Sequence, residues 1–240
     1  MDNLINFDVL KIATPLIAGV TYLSAFKNGK PTCDRFLVNN FLYLLVSLMI
    51  YLTSIKYYEK ENITLGEENI NAKAFGLLVI LLILIIMVSY TDNQIIKHLL
   101  WILVILILGY MGKNVFERYD KELIRDTVFK VTLIVLGCVA FAIAFPQFIK
   151  PSMGKVLFIG LLTAIIFRIM DVFLFDRKYH NYISYLIIFL FTGFMVYDTD
   201  RVRKVGALCK KSGKPDYLEN MMDMFLNIIN LFSTIAGIED

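Results

Sequence analysis

Charge is scarce in this chain: Asp, Glu, Lys and Arg make up 19% of its 240 residues, against about a quarter in an average soluble domain. Net charge is +3, too small and too dispersed to suggest a nucleic-acid surface. Cysteine is sparse as well. Cys33, Cys138 and Cys209 are widely separated, with no C-x-x-C and no neighbouring histidine, a pattern that predicts neither a disulfide framework nor a zinc site. The two histidines, His98 and His180, fall at predicted helix ends, where a solvated interface residue is the expected reading. Enzyme signatures are missing too: there is no G-x-S-x-G, H-E-x-x-H, G-x-x-x-x-G-K-[ST] or G-x-G-x-x-G. The expectation is a protein that is not an enzyme and needs no cofactor. The opening MDNLINFDVLK lacks the basic start and small-residue cleavage site of a signal peptide. The first membrane helix is therefore expected to act as an uncleaved signal.

Apolar residues fill the space that charge leaves. They make up 58% of the chain, mean hydropathy is +0.67, and they come in long blocks, not stripes. A soluble fold of this length has too little interior to hide helices that are apolar on every face, so the bilayer is the expected solvent. Roughly 20 mostly apolar residues cross its core. Seven segments meet that rule: 35–56, 74–91, 95–112, 124–146, 154–175, 181–200 and 217–238. The expected fold is all-α, a seven-transmembrane-helix bundle over residues 33–240, preceded by an N-terminal interfacial or membrane-dipping segment at 1–32. Within that segment, VLKIATPLIAGVTYLSAF (9–26) carries Lys11, Pro15 and Gly19, which favours an interfacial helix over an eighth span. An eighth span would reverse the position of the N-terminus without moving the rest.

Basic residues orient the bundle. Arg201, Arg203, Lys204, Lys210, Lys211 and Lys214 form the densest basic run, between spans six and seven, and are placed in the cytosol. Alternation puts the connection between spans one and two on the lumenal or outer side. That connection holds the single N-x-[ST] sequon, Asn62-Ile63-Thr64, a glycosylation candidate on the matching side.

Ionisable side chains inside a span are costly and point to function by default. Two groups emerge. Arg168 and Asp171 lie three apart on one face of span five, with Lys130 of span four near the same lumenal end. A structural ion pair whose long arm snorkels to the interface is the favoured reading. The second group is Asp198, near the cytosolic end of span six, and Asp223, roughly 9 Å into span seven at 1.5 Å per residue. Asn227 and Asn230 follow Asp223 on its face, a polar stripe that should look into the bundle or a water-filled path. Spans six and seven are antiparallel neighbours, so Asp198 and Asp223 could sit at one depth and share a proton or a cation. The competing reading of Asp198 is a solvated helix end paired with Arg201.

GFMVYDTDRV (193–202), followed by DYLENMMDMFLNIINLF (216–232), resembles the C-terminal signature of the transmembrane Bax inhibitor motif (Bax inhibitor-1-like) family. That signature is an apolar helix ending Tyr-Asp-Thr, a polar loop, Asp-Tyr, then a helix ending Asn-Leu-Phe. The matching residues are Tyr197, Asp198, Thr199, Asp216, Tyr217, Phe225, Leu226, Ile228, Ile229, Asn230, Leu231 and Phe232. Upstream, DRFLVNNFLYLL at the entry to span one is comparable. The resemblance implies a seven-helix bundle in an endoplasmic reticulum, Golgi or other membrane, calcium leak from stores and suppression of programmed cell death. It also implies a pair of aspartates, one from each motif, whose shared proton gates the calcium path. Asp198 stands at the first of those positions and Asn227 at the second. An amide does not titrate; Asp223, one turn earlier, could supply the missing charge, and calcium would then meet Asp198 and Asp223. Richness in Ile, Lys and Asn fits an AT-rich genome, as in a viral Golgi anti-apoptotic protein-like member placed in a host membrane.

Two functions compete on these residues. One is a cation leak that tempers cell death by lowering stored calcium. The other is a non-conducting protein that binds cell-death proteins in the membrane, a reading that Asn227 favours slightly. An intramembrane aspartyl protease would need Gly-x-Gly-Asp where this chain reads Asn-Met-Met-Asp at 220–223, and is set aside. Membrane lipid, calcium or other cations and membrane cell-death proteins are the expected partners.

Overall fold

The computed structural model describes residues 7–61, 70–213 and 215–239; the glycosylation candidate Asn62 lies outside them. In order come α1 (Phe7–Ala25), a hairpin of β1 (Phe26–Lys27) and β2 (Lys30–Pro31), α2 (Phe36–Lys60), α3 (Ile70–Tyr90) and α4 (Gln94–Arg118). Then follow α5 (Lys121–Ala144), a single 3-10 turn (Pro146–Phe148), α6 (Met153–Leu174), α7 (His180–Ser212) and α8 (Tyr217–Glu239). The expected all-α membrane protein is what forms. Among the described residues, six helices (α2 and α4 to α8) are long and apolar enough to cross a membrane, and α3 contributes a shorter apolar stretch, Phe75–Tyr90.

Local chemistry sets the boundaries. Asn28 and Gly29 both take positive φ, 53° and 73°, the pattern of a two-residue hairpin turn matched to strand twist. Asp120 caps α5 by accepting from the Leu123 N–H at 2.7 Å. Asn93 does the same for α4 through the Ile95 N–H at 3.0 Å, and Asp216 for α8 through the Glu219 N–H at 3.1 Å. Gly213, at φ +66°, closes α7 in the left-handed conformation that suits glycine.

The chain divides into two compact units, Met1–Arg118 with Ser212–Met222, and Tyr119–Lys211 with Asp223–Asp240. In the first, α1 lies lengthwise and antiparallel against α2. The Thr14 and Thr53 hydroxyls meet at 3.2 Å, and the Ser24 hydroxyl donates to Asn39 Oδ1 at 2.6 Å. A helix tied to α2 at its middle and its end runs along it. Small residues bring α2 and α4 together: a Cβ on Gly109 would fall 1.8 Å from Ser54 Oγ, and one on Gly112 2.2 Å from the Tyr51 hydroxyl.

The second unit uses the same device between α6 and α7. A Cβ on Gly154, Gly160 or Gly193 would fall 2.7–2.8 Å from Tyr197, Leu190 or Leu157, beside the buried cluster of Leu157, Ala164 and Leu190. One expectation about cysteine fails. Cys33 and Cys209 are not free thiols but disulfide-bonded cysteines, while Cys138 is free and buried; spacing rules see only neighbours in sequence.

Candidate functional site

Helix α7 has 33 residues, about 50 Å at 1.5 Å per residue, far more than a bilayer core needs. Span six was expected to stop at residue 200, where charge begins, but the helix continues to Ser212. The basic residues from Arg201 to Lys211 therefore lie on a helical extension, not in a loop. Asp200 sustains that extension through ion pairs with Arg203 at 2.6 Å and Lys204 at 2.5 Å, one turn ahead. Asp198 is 4% exposed, and Thr199 and Asp200 are buried beside it. The solvated helix end is thus ruled out for Asp198.

Asp198 Oδ2 accepts a hydrogen bond from Asn227 Nδ2 of α8 at 2.8 Å, both side chains buried. One turn earlier on α8, Asp223 Oδ2 accepts from Arg201 Nη2 at 2.5 Å. Asp223 and Arg201 both act on Asp198 through their charges, so two carboxylates and one guanidinium share this region of α7 and α8. Arg201 Nε is buried with no hydrogen-bond partner. Asn230 stands apart: it is exposed, and its amide turns back to the Leu226 carbonyl at 2.8 Å. Of the predicted stripe, then, Asn227 faces Asp198, Asp223 is held by Arg201, and Asn230 points elsewhere. Among the described residues no group of three or more His, Cys, Asp or Glu is placed to hold a metal ion.

The start of α8 holds residues that sequence reasoning left without a role. Asp216 forms an ion pair with Lys97, which is buried on α4. Tyr217 is stacked on Phe36 and Tyr43 of α2, with ring centroids 5.0 and 5.3 Å away. Its hydroxyl donates to the Thr32 carbonyl and accepts from Asn39 Nδ2 at 3.1 Å. The Asp-Tyr pair of the motif therefore anchors the helix that carries Asn227. A lysine inside the apolar run IIKHLLW was the available signal.

Near the start of α7, Arg168 donates to His180 Nδ1 at 2.8 Å, to the His180 carbonyl at 3.1 Å and to Ser184 Oγ at 3.1 Å. Asp171 is fully buried and accepts from the Tyr179 N–H at 2.8 Å. The two residues act on each other as charges, while each directs its hydrogen bonds to α7 or the turn before it. Lys130 pairs with Glu239 of α8. Neither histidine is simply solvated, as the sequence suggested: His98 meets the Tyr43 hydroxyl at 3.0 Å and the Gln94 carbonyl at 2.6 Å.

The family described as Bax1-I, inhibitor of apoptosis-promoting Bax1, matches residues 33–238, from just before α2 to the end of α8. An uncharacterized membrane protein of Vibrio cholerae is 27% identical over 106 residues, 44% of each chain. The chain thus spans less than half of that relative's length. No solved structure matches. The family match leaves α1 outside and takes in Asp198, Asp216, Tyr217 and Asn227; the chain belongs to the Bax inhibitor-1-like family of multi-pass membrane proteins.

Proposed function

We propose that this protein is a cation leak of an endoplasmic reticulum or Golgi membrane, passing calcium at Asp198 and so lowering the stored calcium on which programmed cell death draws. The supporting observation is a buried carboxylate in a membrane helix, hydrogen-bonded to a neutral amide 2.8 Å away. Between two carboxyl groups such a bond exists only while one of them holds a proton. Asn227 carries its N–H at every pH, so the bond to Asp198 does not depend on acid. The leak is accordingly not gated by a proton shared between two carboxyl groups, and it transports an ion rather than catalysing a reaction.

A second reading is favoured by the Arg201–Asp223 bond. With Asp223 neutralised by a guanidinium, the site has less negative charge for a divalent ion, as suits a non-conducting protein that engages cell-death proteins within the membrane. Calcium flux into liposomes carrying the full chain, measured from roughly pH 6 to 8, separates the two. The expected result is flux that is abolished at every pH by Asp198→Asn and whose pH dependence is altered by Asn227→Asp, which adds a second carboxyl group able to share the proton. Asp223→Asn frees Arg201 to move onto Asp198 and should lower the flux. Absence of flux in the unaltered protein would sink the leak and leave the interaction protein.

A further inference from the structure

Asp171 is a buried acid that the leak does not use. It is 0% exposed; Oδ1 accepts the Tyr179 N–H, while Oδ2 is buried with no hydrogen-bond partner. A carboxylate oxygen left so is costly, and the nearest arginine in sequence, Arg168 on the same face of α6, is engaged elsewhere. Arg168 gives its Nη1 to His180 Nδ1. Arginine only donates, so that ring nitrogen carries no proton. The proton of the neutral imidazole is then on Nε2, the nitrogen available to the Gly237 carbonyl of α8. The groups that act on His180 are Arg168 and Asp171 from α6, Arg177 from the turn between α6 and α7, and that carbonyl. The turn is tight: Asp176 and Arg177 take φ of 46° and 62°, and the Arg177 N–H closes onto the Asp171 carbonyl at 2.9 Å.

We propose that His180, Arg168 and Asp171 form a proton-binding site in which protonation of His180 transfers Arg168 to Asp171 and loosens the turn between α6 and α7. The proton adds to Nδ1 and no covalent bond breaks. Once Nδ1 bears hydrogen it can no longer accept from Arg168, and two like charges face each other. Asp171 Oδ2, three residues along the same helix, is the unpaired acceptor within that arginine's reach. Arg168 leaving the His180 ring removes a tie between α6 and the first turn of α7. A metal ion is a poor occupant, because one carboxylate stands beside two arginines. The site does not rest on the leak, and its test reads no flux.

The full chain in lipid nanodiscs, labelled with nitrogen-15 histidine, is compared between about pH 4 and 7.5, a range that extends well below the ordinary titration of histidine. At the upper pH His180 is expected neutral with its proton on Nε2; at the lower pH it is charged. Hydrogen exchange over residues 171–184, corrected for intrinsic rates, should rise several-fold in acid. His180→Gln keeps an acceptor for Arg168 and takes up no proton, so its exchange should stay at the protected level. A proton on Nδ1 at the upper pH would overturn the proposal, as would an equal acid response in the unaltered chain and His180→Gln. The tautomer is read on the unaltered chain and decides even if the variant does not fold.

Discussion

Lys97 and Asp216 form one ion pair in two environments: the lysine side chain is 3% exposed and the aspartate 27%. Removing either partner leaves the other charge behind, and the cost depends on whether water can reach it. Asp216→Asn strands a buried ammonium, expected to cost about 3 kcal/mol. Asparagine still caps a helix, so the loss reports the charge and not the cap. Lys97→Met leaves a carboxylate that water reaches, expected to cost under about 1 kcal/mol. Denaturant unfolding in detergent gives the order; equal or reversed costs would mean that charge does not hold α8 to α4. The same residues show what one chain of letters conveys. Asp198 opposite Asn227 was legible, because two motif positions on consecutive helices place both side chains. Asp216 and Tyr217 were legible only as matching letters, since their partners Lys97, Asn39, Phe36 and Tyr43 lie more than 100 residues away. Arg201 as the partner of Asp223 was missed because a helix end was assumed one residue before it.

At the scale of elements, glycine tells packed faces from lipid-facing ones. Beside Gly109 of α4 a Cβ would meet Ser54 Cβ at 2.9 Å and the Tyr51 carbonyl at 3.3 Å, besides the Ser54 hydroxyl. Backbone cannot yield as a side-chain tip can, so Gly109→Ala should force α2 and α4 apart at about 1–3 kcal/mol. Gly137 of α5 has nothing within 4 Å of the same position, and Gly137→Ala should be neutral or gain up to about 1 kcal/mol from helix propensity. Thermal unfolding of the two variants in one detergent checks the contrast, and a stabilised Gly109→Ala would refute the close approach. Among the described residues, six of the seven expected spans fall on helices long and apolar enough to cross a membrane, and the second falls on α3, whose apolar stretch is shorter. Hydropathy misjudged the end of α7: it reports the solvent, not the backbone. Asp200 with Arg203 and Lys204 carries the helix past the point where apolar sequence stops.

For the whole molecule the open question was α1, whose Lys11 and Pro15 kept it from reading as a span. Its 19 residues cover about 28 Å, close to the roughly 30 Å of a hydrocarbon core. Ile12, Leu16, Val20 and Leu23 form an exposed apolar stripe along it, and its polar threonine and serine turn inward to Thr53 and Asn39 of α2. Since α1 lies antiparallel along α2, it should cross wherever α2 crosses, and its start lies level with the end of α2. The N-terminus is then expected on the lumenal side with Asn62. An epitope tag placed at the N-terminus, expressed in endoplasmic-reticulum microsomes, tests this together with glycosylation at Asn62. The expected outcome is a tag protected from protease and a glycosylated Asn62. A digested tag with glycosylated Asn62 would mean that α1 does not cross. A digested tag with unmodified Asn62 would keep α1 as a span and reverse the orientation read from the basic residues.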